Sequence, residues 1–339
     1  MRFTKFWRNA LLASCLAGVV SGVAHAKPME LKLGTIIPPQ APFIQKGLQA
    51  WIDAVNQDAQ GTVDIQLFAG GSLVRHPDQQ LSMLRNNIAQ IALFPNNTAP
   101  GQFPDDAIFE LPLGPENSFE ASQAAWRLYD QDKLRGYDDM VVLGFLANGP
   151  NLLQTRQPVA NLDDLPGRKI RTSTTAQTQM IQALGANPIG SIPITSAAES
   201  VSRGMIDGGL HNWGSWAAFR LDRVLSNHVE IPMGYSVLTL AMNTDTWNKL
   251  PPEAKAAFEK HSFGKASAMF GKVDDGVAAM IRGKAIQDKN HILAMTPEQE
   301  AAWRERLQQV VATWRQSRAD GDDLYQALEA ALKDIRQSN

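Results

Sequence analysis

Residues 30–37 read E-L-K-L-G-T-I-I, an alternation that passes into an apolar run, as a strand does on entering a core. Pro38, Pro39 and Pro42 then force a loop. Residues 43–58 place Phe43, Leu48, Trp51, Ile52 and Val55 on one helical face, and residues 62–68 alternate as a half-buried strand. The spacing of Leu81, Leu84 and Ile88 predicts a helix over 77–90. Ile91 to Phe94 is a short buried strand, which Pro95-Asn96-Asn97 breaks. This β-α-β-α order predicts a largely parallel sheet with helices on its faces.

A second set follows. Val141 to Leu146 is an apolar strand stopped by Gly149-Pro150, and residues 168–172 form a strand introduced by Leu165-Pro166-Gly167. Helices are expected over 174–184 and 195–204, and a strand over Met205 to Leu210. Residues 229–242 look extended, with Met233-Gly234-Tyr235 as a crossing between lobes. From Pro251 to Lys289 the pattern is mostly helical despite Gly264, Gly271, Gly276 and Gly283, and 297–317 and 322–336 read as further helices. The pattern predicts an α/β chain of two lobes, with a ligand cleft at the strand ends.

The first 26 residues stand apart. Arg2, Lys5 and Arg8 precede an apolar run from Ala10 to Val20, and Ala24-His25-Ala26 is a small-x-small cleavage signal. This is the layout of a secretory signal peptide, and the run is short for a spanning helix. Leu12-Ala13-Ser14-Cys15 resembles a lipoprotein box, but cleavage after Ala26 is the expected processing. A periplasmic location follows. The leader holds three of the 32 Lys and Arg and no Asp or Glu, so 29 bases face 34 acids after cleavage, a net charge of −5. That balance argues against nucleic acid as a partner. The one cysteine, Cys15, lies in the leader, so the mature chain has no disulfide, thiolate metal site or cysteine nucleophile.

No G-x-S-x-G elbow, phosphate loop or dinucleotide turn occurs, and the histidines show no metal spacing. The pattern favours a binding protein over an enzyme. A periplasmic enzyme acting on a small acid and a sensor ectodomain stay as alternatives.

Three stretches in order carry a resemblance. They are residues 51–94, with an amphipathic helix, a strand and the loop G-G-S-L; residues 165–208, with L-P-G-R-K-I-R, A-L-G-A-N-P and S-R-G-M-I-D-G; and residues 240–252, L-A-M-N-T-D-T-W-N-K-L-P-P. Together they resemble the solute-binding proteins of tripartite ATP-independent periplasmic (TRAP) transporters over nearly the whole mature chain. The resemblance implies two α/β lobes closing over a ligand, a long interdomain helix, and membrane permease subunits as partners. It implies lobes made of 27–147 plus about 238–270, and of 148–237 plus about 271–336. It implies no cofactor, although a cation accompanies the ligand in some members that take 2-oxo or 2-hydroxy acids.

Arg171, which ends G-R-K-I-R, matches the family arginine that pairs with the ligand carboxylate. A guanidinium suits that role, because its planar fork donates two parallel charge-assisted bonds. Acid-sugar binders of the family tend to carry a second arginine where this chain has Asn148-Gly149-Pro150-Asn151. Pro39 and Phe43 after the first strand, Phe94 with Asn96 at the break of the third, Asn151, His211, Trp213 and Tyr235 complete the candidate ligand-binding set. Proline and aromatic walls suit an apolar or aromatic monocarboxylate better than a polyol. A neutral His211 can donate to a keto or hydroxy oxygen.

Overall fold

The computed structural model describes residues 27–112 and 114–338. The expected signal peptide, with its cleavage site and Cys15, lies outside the described residues. The chain opens with β1 (Met29–Thr35), α1 (Gln49–Asp58), β2 (Val63–Phe68), α2 (Gln80–Arg85) and β3 (Ile91–Pro95), and β1 pairs parallel with both β2 and β3. Leu31 and Leu33 point into the core and Glu30 and Lys32 do not, so the alternation of this segment is its sidedness. The expected helix over 77–90 is shorter. A 3-10 turn occupies Pro77–Gln79, and α2 stops before Asn86 and the left-handed Asn87.

Helix α3 (Ser118–Asp130) and strand β4 (Met140–Asn148) follow. Residues 118–130 fall outside the elements expected from the hydrophobic pattern. The Asn117 side chain nevertheless caps this helix, accepting from the Glu120 amide at 2.8 Å. The chain then builds a second sheet from β5 (Leu152–Thr155), β6 (Lys169–Arg171), α4 (Thr175–Ala183), β7 (Asn187–Ile189), α5 (Ala197–Ser202), β8 (Gly208–His211), α6 (Trp213–Ala218) and β9 (Asn227–Val229). It returns through β10 (Ser236–Asn243), which inserts antiparallel between β3 and β4. The first sheet therefore runs β2-β1-β3-β10-β4 and is mixed, not largely parallel.

The remaining elements are α7 (Thr244–Lys249), α8 (Pro252–His261), α9 (Gly264–Gln287), β11 (His291–Ile292), α10 (Pro297–Gln316) and α11 (Gly321–Ser338). The second sheet runs β11-β9-β5-β8-β6-β7. Two lobes result, one around each sheet.

Two segments cross between the lobes side by side. The Asn151 amide donates to the Gly234 carbonyl at 2.7 Å, and the Met233 amide donates to the Asn151 carbonyl at 2.9 Å. The 24 residues of α9 span about 36 Å at 1.5 Å per residue. This helix packs on α3 and β4 of the first lobe and on α6 of the second. Gly271 makes the close approach to α3 possible: a Cβ there would sit 2.5 Å from Phe119 Cα and 2.6 Å from the Ser118 carbonyl oxygen. Helix α10 lies on α4 beside the second sheet, whereas α11 lies on α3 beside the first.

Candidate functional site

A cavity of about 420 Å³ lies between the two sheets. Arg171 reaches it as the last residue of β6 and is only 5 % exposed. Its Nε donates to the Ile192 carbonyl at 2.7 Å. Among the described residues it forms no ion pair, and burial alone pulls its guanidinium down to about 10. At neutral pH it is therefore a buried cation without a protein anion. Such a charge is costly unless something pairs with it.

His211 ends β8, the strand beside β6. Neither ring nitrogen has a hydrogen-bond partner among the described residues. Burial, and then the charge of Arg171, hold its pKa well below the usual imidazole value, so the ring is neutral. A neutral imidazole brings one donor and one acceptor to the cavity. Gly209 makes room for it. Its backbone pairs with Arg171, and a Cβ at this position would overlap the His211 ring and press on Arg171 Cβ at 3.1 Å.

The wall near the crossings is polar. Asp274 of α9 accepts from Ser118 Oγ at 2.7 Å and from Asn148 Nδ2 at 2.7 Å. Asn148 Oδ1 in turn accepts from Asn212 Nδ2, and Asn212 caps α6. Burial pushes the Asp274 carboxyl up to about 6. These groups satisfy one another, so their arrangement ties α3, β4, α6 and α9 together at the hinge. Ile36, Phe43, Leu146, Ile192 and Phe219 add apolar surface to the remaining wall, among polar residues that include Asp78, Thr172 and Gln177.

Of the residues singled out in the sequence, Arg171, Phe43, Asn151 and His211 line this cavity. The other five do not. Pro39 is exposed on the outer side of its loop, while Ala41, Pro42 and Phe43 turn inward. Phe94 faces the core and stacks on Phe103 at 5.9 Å between centroids. Trp213 packs on Trp216 and His228 inside the second lobe, at 5.4 and 4.5 Å. Tyr235 covers Gly149 at the crossing and donates to the Pro115 carbonyl at 3.1 Å. Asn96 donates to the Tyr137 hydroxyl at 2.7 Å and accepts from Thr239 Oγ1 at 2.8 Å, so its amide belongs to a core network. Asn148, Gly209, Phe219 and Asp274 were missed. Only Asn148 and Gly209 sat beside a recognised motif.

Comparison with known proteins gives a consistent picture. Residues 33–317 match the family described as bacterial extracellular solute-binding protein, family 7. A C4-dicarboxylate-binding periplasmic protein of Shewanella loihica is 24 % identical over 316 residues, which is 90 % of each chain. Among solved structures, a TRAP solute-binding protein from Rhodoferax ferrireducens, in complex with copurified benzoate, superposes with a TM-score of 0.85 at 24 % identity. The match covers 91 % of this chain and 99 % of that one. One from Bordetella bronchiseptica with bound mandelate superposes with a TM-score of 0.81 at 22 % identity, covering 91 % of this chain and 100 % of that one. At these identities the structural likeness establishes the two-lobed fold.

Proposed function

Because the chain belongs to family 7 of the bacterial extracellular solute-binding proteins and is thus a TRAP-type receptor, not an enzyme, we propose that it captures a small monocarboxylate with an apolar or aromatic body. One observation carries this reading: Arg171 is a buried cation at the cavity wall that forms no ion pair among the described residues. A ligand carboxylate supplies the missing partner, in a site where exclusion of water strengthens the pair. The apolar walls at Ile36, Phe43, Ile192 and Phe219 suit an aryl or branched body. Neutral His211 suits a 2-oxo or 2-hydroxy group beside the carboxylate. Phe43, Asn151, Arg171 and His211 are the proposed contacts. Closure over the ligand then presents both lobes to membrane permease subunits, the proposed partners. Benzoate and mandelate, seen in two proteins of the same fold, fit this chemistry.

The test is calorimetric titration of the mature protein with benzoate, mandelate, phenylpyruvate, succinate and glucuronate. An aryl monocarboxylate is expected to bind tightest. Tight binding of succinate or glucuronate, with the aryl acids inert, would overturn the ligand class but leave the receptor role standing.

A further inference from the structure

A second interlobe chamber of about 490 Å³ meets the first, and Asn97, Ser173 and Gly190 line both. Its chemistry differs from that of the first, where Arg171 and His211 share the lining with Asp78 and Asp274. Among the described residues, the carboxyl groups of Asp106 and Glu110 line it and no lysine, arginine or histidine does. Both come from one stretch of the first lobe, the 3-10 turn Asp106–Ile108 and the residues just after it. Thr174, Thr175 and Thr178 from the second lobe complete the wall.

Asp106 is 5 % exposed, and its two oxygens differ. Oδ2 accepts from the Tyr137 hydroxyl at 2.6 Å and from Asn96 Nδ2. Oδ1 is buried and has no partner among the described residues. Asp106 lines the chamber, and a buried carboxyl oxygen that receives no hydrogen bond is the exception in folded proteins. Glu110 lies near enough for Asp106 to raise its pKa further, and within reach of the Thr174 hydroxyl across the lobe boundary. Burial is the main cause in both cases, pushing Asp106 up to about 7 and Glu110 to about 8.

We infer that this chamber is a binding site for a primary organic ammonium group, which donates to Asp106 Oδ1 and to the Glu110 carboxyl. Its volume is far more than a bare metal ion fills, and no group of three or more acidic, histidine or cysteine side chains suited to a metal occurs among the described residues. Phe103 and Trp314 add aromatic walls for the carbon body. The ammonium has two possible sources: a separate amine, or the far end of an amino acid whose carboxylate sits at Arg171. The site does not depend on Arg171 being the carboxylate clamp.

The test is calorimetric titration of the mature protein with butylammonium chloride, with sodium and magnesium chloride at equal ionic strength as controls. Butylammonium is expected to bind at millimolar concentration or below. Glu110→Gln and Asp106→Asn should each weaken it about tenfold or more, the cost of breaking a charge-assisted contact. Glu110→Gln leaves the Asp106–Tyr137–Asn96 contacts in place, so it reads the site even if Asp106→Asn fails to fold. A series of ω-amino acids set against their unaminated parents separates the sources. Tighter binding of the amino acid, lost in Glu110→Gln, puts both charges on one molecule; equal binding beside a butylammonium response makes the amine separate. Arg171→Ala should weaken benzoate and leave butylammonium unchanged, which keeps the two sites distinguishable. No butylammonium response, an equal response to the inorganic salts, or unchanged affinity in Glu110→Gln would overturn the inference.

Discussion

The two chambers of the cleft share a boundary and present ionisable groups of opposite kind. One presents Arg171 without an anion, and the other presents Asp106 and Glu110 without a cation. Neither could be inferred from the formal net charge of −2. The contrast repeats on a smaller scale between consecutive residues. Asp105 is buried but held by Arg135 and Arg318, with Arg135 Nε at 2.7 Å, and its carboxyl falls to about 2 even though burial alone would raise it. Asp106 points the other way, meets only neutral donors, and rises to about 7. Burial is common to both; the partner supplied by the protein decides the sign. Asp105 is thus tied into the structure by its arginines, while Asp106 keeps one oxygen unpartnered and lines the second chamber.

The largest expected effect breaks the first chamber. Arg171→Ala should cost about 2–5 kcal/mol in carboxylate affinity, or roughly thirty- to several-thousand-fold by calorimetry. Arg171→Lys should recover part of this, because an ammonium keeps the charge and loses the fork. The ligand-free Arg171→Ala protein should melt at or above the wild-type temperature, since the change removes an unpaired buried charge. A much lower melting temperature would make Arg171 a structural residue.

A smaller effect should come from Gly209→Ala. The added Cβ forces the His211 ring to shift and crowds Arg171, and overpacking of this kind costs about 1–3 kcal/mol. The loss should be greater for a 2-hydroxy acid than for its parent acid, because only the former uses the imidazole. Equal losses would remove His211 from recognition.

The pH dependence of ligand-free stability sharpens the contrast between Asp105 and its neighbours. Asp106 and Glu110 have folded-state values above their unfolded ones, so their contribution is fully present below about pH 4 and is lost as pH rises through about 7 and 8. Asp105 is the reverse, contributing above about pH 4 and losing that contribution as pH falls toward 2. Thermal unfolding across this range should show Glu110→Gln flattening the alkaline limb and Asp105→Asn the acid limb. An alkaline limb unchanged in Glu110→Gln would put the titrating group elsewhere. The smallest effect expected is at Pro39, exposed outside the cavity. Pro39→Ala should change ligand affinity and stability by less than about 0.5 kcal/mol.

The elements most legible in the sequence were those with a one-sided pattern. The alternation through Leu31 and Leu33 and the helical face of Trp51, Ile52 and Val55 marked real buried surfaces. Helix α3 escaped because its A-S-Q-A-A-W stretch is short on large apolar residues; it is set by its Asn117 cap and by contact with Gly271. Arg171 was legible only through its motif, since one arginine at a strand end carries no signal of its own. Phe94 and Trp213 misled for a related reason. A large apolar residue near a predicted loop suits a cavity wall and a core equally, and pleat and helix phase turned both toward the core. Asp274 and Asp106 were invisible because their meaning lies in partners far along the chain, such as Ser118 and Asn148 for the one and Tyr137 for the other.

The insertion of β10 between β3 and β4 has a consequence for the order of assembly. Both neighbours of this strand are complete by residue 148, yet β10 begins only at Ser236, after the strands β5 to β9. A chain emerging from its N-terminus therefore carries two apolar strands with bare edges facing an unfilled slot. Pairings so distant in sequence form slowly, and exposed edges recruit other chains meanwhile. The second sheet, whose main strands β5 to β9 are consecutive, is free to collapse early, and the first sheet closes late. Refolding followed by hydrogen exchange should show protection in β5 and β8 before β3 and β4.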